Sequence, residues 1–122
     1  LKNISYRRKK NINLYKKYLK AESVKLIEDG VNEKNAYVMF IALSDKRNKL
    51  QKYLSRFNIQ SLLYYPTALH LHNSMKFLGY KKGDLPNAET IANQVISFPH
   101  HQHLTKKQIK FVCSKINKFF EK

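Results

Sequence analysis

Hydrophobic positions along this chain recur with two different periods. Between Tyr6 and about Lys20, the residues Ile12, Tyr15 and Leu19 share one helical face, with Lys and Arg on the other, which predicts a helix over 6–20. Leu50, Tyr53, Leu54 and Phe57 form a second stripe and predict a helix over 46–57. Ser44 or Asp45 is placed to cap it, and Asn58 to stop it. Ala88, Ile91, Ala92 and Val95 predict a helix over 87–95, opened by Pro86. Ile109, Val112, Cys113, Ile116 and Phe119 predict the last helix, over 106–120. Thr105 and Gln108 stand three residues apart at its start, the spacing of a capping box.

Other apolar runs read as strands. Ala36 to Leu43 is apolar at odd and even positions alike, which predicts a central strand over 36–43 covered on both faces. Ile59 to Tyr64 predicts a second short strand, ended by Pro66. Ile96 to Phe98 predicts a third, ended by Pro99. A short helical segment is expected over 73–78, before Gly79. Helices alternating with few strands predict an α/β (α+β) two-layer domain with a small, mainly antiparallel sheet. At 122 residues the chain is one domain, 1–122, and 43% hydrophobic residues suffice for its core.

Charge complicates this picture less than its size suggests. The chain carries 24 Lys and Arg against 8 Asp and Glu, a net charge of +16. That raises a polyanionic partner. Yet arginine occurs only at 7, 8, 47 and 56, and direct readers of bases and phosphates favour its planar fork over lysine. A basic nucleic-acid-binding domain therefore remains an alternative, not the leading reading. No apolar run is long enough to span a membrane, and Leu1 to Lys20 lacks the apolar core of a secretory signal. The single cysteine, Cys113, excludes an intrachain disulfide and fits a reducing cytoplasm. It lies on the apolar face of the last helix and is expected to be a buried small hydrophobe. The first residue is Leu rather than Met, which fits a piece of a longer protein.

Candidate chemistry is concentrated between Tyr64 and Thr105. Tyr64 and Tyr65 precede Pro66 at a predicted strand end, where their rings either pack a sheet edge or project into a cleft. A phenol offers an apolar ring face for stacking and a hydroxyl for hydrogen bonding. His70 follows in Leu69-His70-Leu71-His72, where its plain role is to hydrogen-bond backbone and hold a loop. Gly79 to Glu89 reads as a turn joined to a helix start. Gly83 permits a positive φ, and Asp84 is placed to bond backbone amides ahead of it. His100, His101 and His103 raise zinc or nickel. Neighbouring histidines in a loop rarely aim at one centre, and no Cys or carboxylate lies close by, so no metal site is expected. No Gly-rich phosphate loop, Ser-centred elbow or catalytic carboxylate pair is present.

Taken in order, Tyr64-Tyr65-Pro66, Leu69-His70-Leu71, Leu78-Gly79-Tyr80, Gly83-Asp84-Leu85-Pro86, Ala88-Glu89, Ser97-Phe98-Pro99 and Leu104-Thr105 resemble the C-terminal small domain of the DegT/StrS family. These are pyridoxal-phosphate (PLP) dependent sugar aminotransferases. The Arg7-Arg8 pair with Tyr15 and Leu19 is similar to the helix leading into that domain. Two positions depart: Ala68 stands for the family's second Pro, and His72 for its Gln. Asn35 stands where many members open a strand with His, which removes a titratable group.

The resemblance implies a fold like the small domain of fold-type-I PLP-dependent transferases. It implies an enzyme that moves an amino group, usually from glutamate, to a nucleotide-linked keto-sugar, at a site formed in a homodimer. By resemblance the substrate side holds Tyr64, Tyr65, Asn35 and His70. The Schiff-base lysine and the phosphate-holding groups belong to the family's large domain and have no counterpart here. No catalytic or cofactor-binding residue is therefore assigned, and this chain alone is expected to bind no PLP. An interaction module complementing a separate large domain is the other reading. A domain cut from its partner should also leave Tyr64, Tyr65 and Leu69, and Ile12, Tyr15 and Leu19, unusually exposed.

Overall fold

The computed structural model describes residues 2–31, 33 and 35–121. Four α-helices and three short strands follow in the order α1 (Lys2–Tyr18), β1 (Lys25–Leu26), β2 (Ile41–Leu43), α2 (Arg47–Ser55), α3 (Pro86–Gln94), β3 (Val95–Ser97) and α4 (Lys106–Phe120). Two 3-10 segments, Leu69–Leu71 and Asn73–Leu78, lie between α2 and α3. The sheet is antiparallel with order β1-β2-β3, so the predicted central strand is central. The expected α/β small domain, an antiparallel sheet with packed helices, is what forms. Among the described residues no helix is long and apolar enough to cross a membrane.

The helices follow their apolar stripes. α1 and α2 both pack against α4, while α2 also meets β3 and α3 meets β2. Ile12 and Tyr15 from α1, Leu50 and Leu54 from α2, and Ile109, Val112, Cys113 and Ile116 from α4 join Ala42 and Ile96 of the sheet in one core. Burying a side chain of this size contributes about 1.5–3 kcal/mol. α4 carries the predicted capping box in full: Thr105 Oγ1 accepts from the Gln108 amide and the Gln108 side chain accepts from the Thr105 amide. Asn58 stops α2 in the left-handed region at φ 56°. α1 begins at Lys2, four residues early, because no Gly or Pro in its first turn opposes helix.

Four expectations need correction. Only 41–43 of the predicted 36–43 strand is paired. Tyr37 adopts φ 47°, and Val38 and Met39 face outward into a cleft, so two-sided apolarity here does not mean a two-sided strand. The predicted strand over 59–64 shrinks to one bridge between Leu62 and Ser97. α2 takes no side-chain cap: Asp45 instead accepts from Gln94 Nε2, and Ser44 Oγ lies 3.4 Å from the Lys46 amide. Ile12 and Tyr15 are 2% and 0% exposed, so the first helix is core and not an uncovered interface. Tyr15 donates to the Pro99 carbonyl at 2.5 Å, and its ring stacks on Phe98. β1, only two residues long, escapes any periodicity argument.

Polar groups pin the elements together. Asn117 of α4 caps the end of α1, accepting from the amides of Lys20 and Ala21 and donating to the Tyr18 carbonyl. Arg47 is buried and donates through Nη1 to the carbonyls of Ala92 and Val95, at 2.8 and 3.2 Å. Burial pulls its guanidinium pKa down, and the two carbonyls at the end of α3 offset that cost. Arg47→Ala should therefore lower stability by about 1.5–3 kcal/mol in urea titration. Lys49→Ala, on the exposed side of the same helix, should change it by less than about 0.5 kcal/mol. Equal effects of the two substitutions would remove this role for Arg47.

Candidate functional site

Two clefts flank the segment after α2. The larger, of about 650 Å³, is walled by Phe57, Ile59, Leu62, Phe98, Leu104 and Phe111, with Lys107, His100 and His101 also on its lining. The smaller, of about 480 Å³, lies between residues 64–72 and α3, whose Ala88, Ile91 and Ala92 form the opposite wall. Tyr64 lines both clefts, and Tyr65 lines the smaller. The two rings meet edge to face at 6.3 Å. Tyr65 is 73% exposed and Leu69 69%, so their surfaces are open to a ligand or another domain. The Leu62–Ser97 bridge holds the segment's start against β3.

His70 and Asn35 lie elsewhere. His70 is buried, is absent from both cleft linings, and pairs through Nε2 with Glu89 Oε1 at 3.1 Å. Its partner is thus a carboxylate and not the expected backbone group, though the effect is still to hold the loop. Asn35 stands six residues before β2 rather than at its start. Its side chain accepts from the Tyr37 amide and donates to Asp29, and it is absent from both cleft linings. The structure therefore brings Tyr64 and Tyr65 together and leaves His70 and Asn35 as supports of neighbouring loops. Burial and the Asp29 carboxylate push the Tyr37 phenol up to about 12, so it remains a neutral donor in that support.

Glu89 was not singled out as a functional group on sequence. Its Oε1 also accepts from the Gly83 amide at 2.8 Å. Gly83 sits at φ 96° in open space, so glycine is needed for its backbone angle and not for room. The Ala88-Glu89 pair following Pro86 was the available signal: it places the carboxylate in the first turn of a helix. Asp84, expected to bond amides ahead, accepts instead from the Lys81 amide behind it.

The remaining candidates offer little chemistry. His100 is held between the carbonyls of Phe98 and Val38, while His101 and His103 face each other at 6.2 Å. No group of three or more His, Cys, Asp or Glu able to hold a metal occurs among the described residues. Cys113 is buried and desolvation pushes its thiol up to about 12, which leaves no thiolate for attack. PLP fits neither cleft by itself. The smaller is lined by no Lys, Asp or Glu, and the larger by Lys107 with no carboxylate to hold a pyridine nitrogen.

The family model described as the DegT/DnrJ/EryC1/StrS aminotransferase family matches residues 1–117. The chain belongs to this family. A pleiotropic regulatory protein of Geobacillus stearothermophilus is 40% identical over 62% of this chain and 20% of its own length. A dTDP-3-amino-3,4,6-trideoxy-alpha-D-glucose transaminase of Streptomyces venezuelae is 30% identical over 69% of this chain and 22% of its own. Among solved structures, S. venezuelae DesV in complex with a ketimine intermediate superposes with a TM-score of 0.92 at 25% identity. The match covers 98% of this chain and 32% of that one. A family aminotransferase from Brucella abortus follows at TM-score 0.85 and 26% identity, again over 98% and 32%. The chain thus spans about a fifth to a third of the proteins it matches.

The Glu89 site makes a pH prediction. The Gly83 amide, with help from His70, holds the Glu89 carboxyl below its ordinary range, although partial burial opposes this. A depressed folded pKa stabilises above the unfolded value, about 4.3, and that contribution disappears as pH falls through the folded value. The stability advantage of the native chain over Glu89→Gln should be present at pH 6 and shrink below about pH 4. Urea titrations at both pH values check this, and an advantage that grows on acidification would contradict it.

Proposed function

We propose that this chain is the C-terminal small domain of a PLP-dependent aminotransferase that acts on nucleotide-linked keto-sugars, with Tyr64 and Tyr65 on the wall that meets the substrate. The observation that carries the reading is the near-complete match to one third of the DesV fold, at a TM-score of 0.92. Relatives named as transaminases of dTDP-linked and UDP-linked sugars favour a nucleotide sugar as substrate. A half-buried Tyr64 lining both clefts and an exposed Tyr65 lining the smaller suit a sugar ring and a nucleobase better than they suit a packed sheet edge.

The Schiff-base lysine and phosphate cradle come, in this reading, from a large domain outside residues 1–122. That domain also covers Tyr65, Leu69, Phe77, Leu78, Leu85 and Ile91, which are large, apolar and exposed. The working enzyme is a homodimer, and the cytoplasm is its expected compartment. Lysines here serve partly as covers for aromatic rings: Lys115 Nζ lies 4.1 Å from the Phe57 ring centre and Lys110 Nζ 4.9 Å from that of Tyr18. Such use accounts for part of the basic charge without a nucleic acid.

Expression of the complete coding region, followed by assay with PLP, glutamate and dTDP- and UDP-linked keto-sugars, tests the reading. An aminated nucleotide sugar is the expected product. Tyr65→Phe should lower kcat/KM for the keto-sugar by about 2- to 10-fold, the loss of one hydrogen bond of about 0.5–1.5 kcal/mol, with the PLP absorbance unchanged. Residues 1–122 alone should lose PLP on dialysis. Unchanged kinetics in Tyr65→Ala would remove the tyrosine from the site, and a dialysis-stable aldimine band on the isolated chain would remove the large-domain assignment.

A further inference from the structure

One carboxylate oxygen joins three separate pieces of chain. Glu89 Oε1 accepts from the Gly83 amide at 2.8 Å and from His70 Nε2 at 3.1 Å. Glu89 belongs to α3, His70 to the 3-10 segment Leu69–Leu71, and Gly83 to the loop before α3. The side chains of His70 and Glu89 are 5% and 13% exposed, so water competes poorly for the bond between them, while the Gly83 bond lies nearer the surface. The Tyr80 ring stands edge-on to the His70 ring at 6.0 Å.

The same two elements are the two walls of the smaller cleft. Tyr64 to Leu69 with His72 form one wall and α3, through Ala88, Ile91 and Ala92, the other. His70 lies within the first wall's stretch, between Leu69 and His72, and Glu89 directly follows Ala88 of the second. Between Tyr65 and His70 the chain has little slack: Ala68 is buried, and its carbonyl accepts from the Leu71 amide at 2.9 Å. A change at the His70–Glu89 contact therefore shifts the bonded turn 68–71, and Tyr65 stands three residues before that turn. Neither His70 nor Glu89 lines a cleft, so neither is placed to touch a ligand.

We propose that Glu89 is a positioning residue: through His70 and the Gly83 amide it sets the spacing between α3 and the Tyr64–Leu69 wall, and so the placement of Tyr64 and Tyr65 against the sugar nucleotide. The inference rests on the proposed substrate role of the two tyrosines. A carboxylate suits the task because charge-assisted bonds to two donors are shorter and stronger than those of an amide. Glutamine keeps one acceptor oxygen and should hold the wall in part, whereas alanine should release it.

Two measurements separate the geometry from the function. NMR of the 122-residue chain tests the geometry. In Glu89→Ala, the Gly83 amide should lose at least about tenfold of its exchange protection. The Tyr64 and Tyr65 ring signals should move, while those of α1 and α4 stay in place. Glu89→Gln should give smaller shifts in the same signals, and it stands in if the alanine variant does not fold. Thr90→Ala, on the exposed neighbouring position, should change none of them. Tyrosine signals that stay fixed in both Glu89 variants would overturn the proposal, as would shifts spread equally over α1 and α4. Kinetics of the full-length enzyme test the function: Glu89→Ala should raise KM for the nucleotide sugar several-fold with the PLP band unchanged, and Glu89→Gln should recover part of the loss. Moved tyrosines with unchanged KM would leave the clamp standing and overturn the substrate role of Tyr64 and Tyr65.

Discussion

The fold depends on the burial of one strand. β3 has all three of its residues buried, pairs with β2 along one side and is held on the other by the single Leu62–Ser97 bridge. A buried strand paired along one side and bridged at Ser97 on the other cannot slip without breaking both sets of bonds at once. Its neighbours inherit this fixed position. α3 runs directly into it, Arg47 holds the junction through the Ala92 and Val95 carbonyls, and Phe98 and Pro99 beyond it carry the ring and the carbonyl that seat Tyr15. α1 is thereby tied to the sheet, although no residue of α1 pairs with a strand.

Both clefts open beside this buried strand. Ser97 and Phe98 line one and Val95 the other, and Tyr64 stands between them because the Leu62–Ser97 bridge places it there. The segment that follows has few backbone bonds of its own to the sheet. It is held by side chains instead, above all by Glu89 and His70. The division is economical in physical terms: a rigid strand fixes where the tyrosines enter, and a polar clasp fixes how far they stand from α3. The large apolar side chains left exposed on this side belong to a domain whose relatives are three or more times longer.

The sequence was most legible where local chemistry and packing agreed. Four helices followed from their stripes, and the capping box of Thr105 and Gln108 was readable to the residue. The sheet was less legible. The run from Ala36 to Leu43 is apolar throughout because Phe40 and Ala42 fill the core while Val38 and Met39 wall a cleft, and a one-dimensional pattern cannot separate those two reasons. Residues 59–64 are β-prone but need only one pair of bonds to be held. The candidate site was legible as a motif, through Tyr64-Tyr65-Pro66, but not as a geometry. The partnership of His70 with Glu89 spans 19 residues and crosses two turns, and no local rule joins them. Asn35 shows the converse: a position matched along the chain whose side chain serves the Asp29–Tyr37 loop.

The central claim is that the segment around Tyr64 and Tyr65 is where this domain meets a nucleotide sugar. Hydrogen–deuterium exchange of the complete protein, loaded with PLP and measured with and without a nucleotide-linked amino-sugar product, tests it most directly. The account predicts new protection in peptides covering Tyr64–Leu69 and in the cleft-facing turn of α3, with α1 and α4 unchanged. Bound product that protects other regions and leaves Tyr64–Leu69 exchanging as before would contradict it.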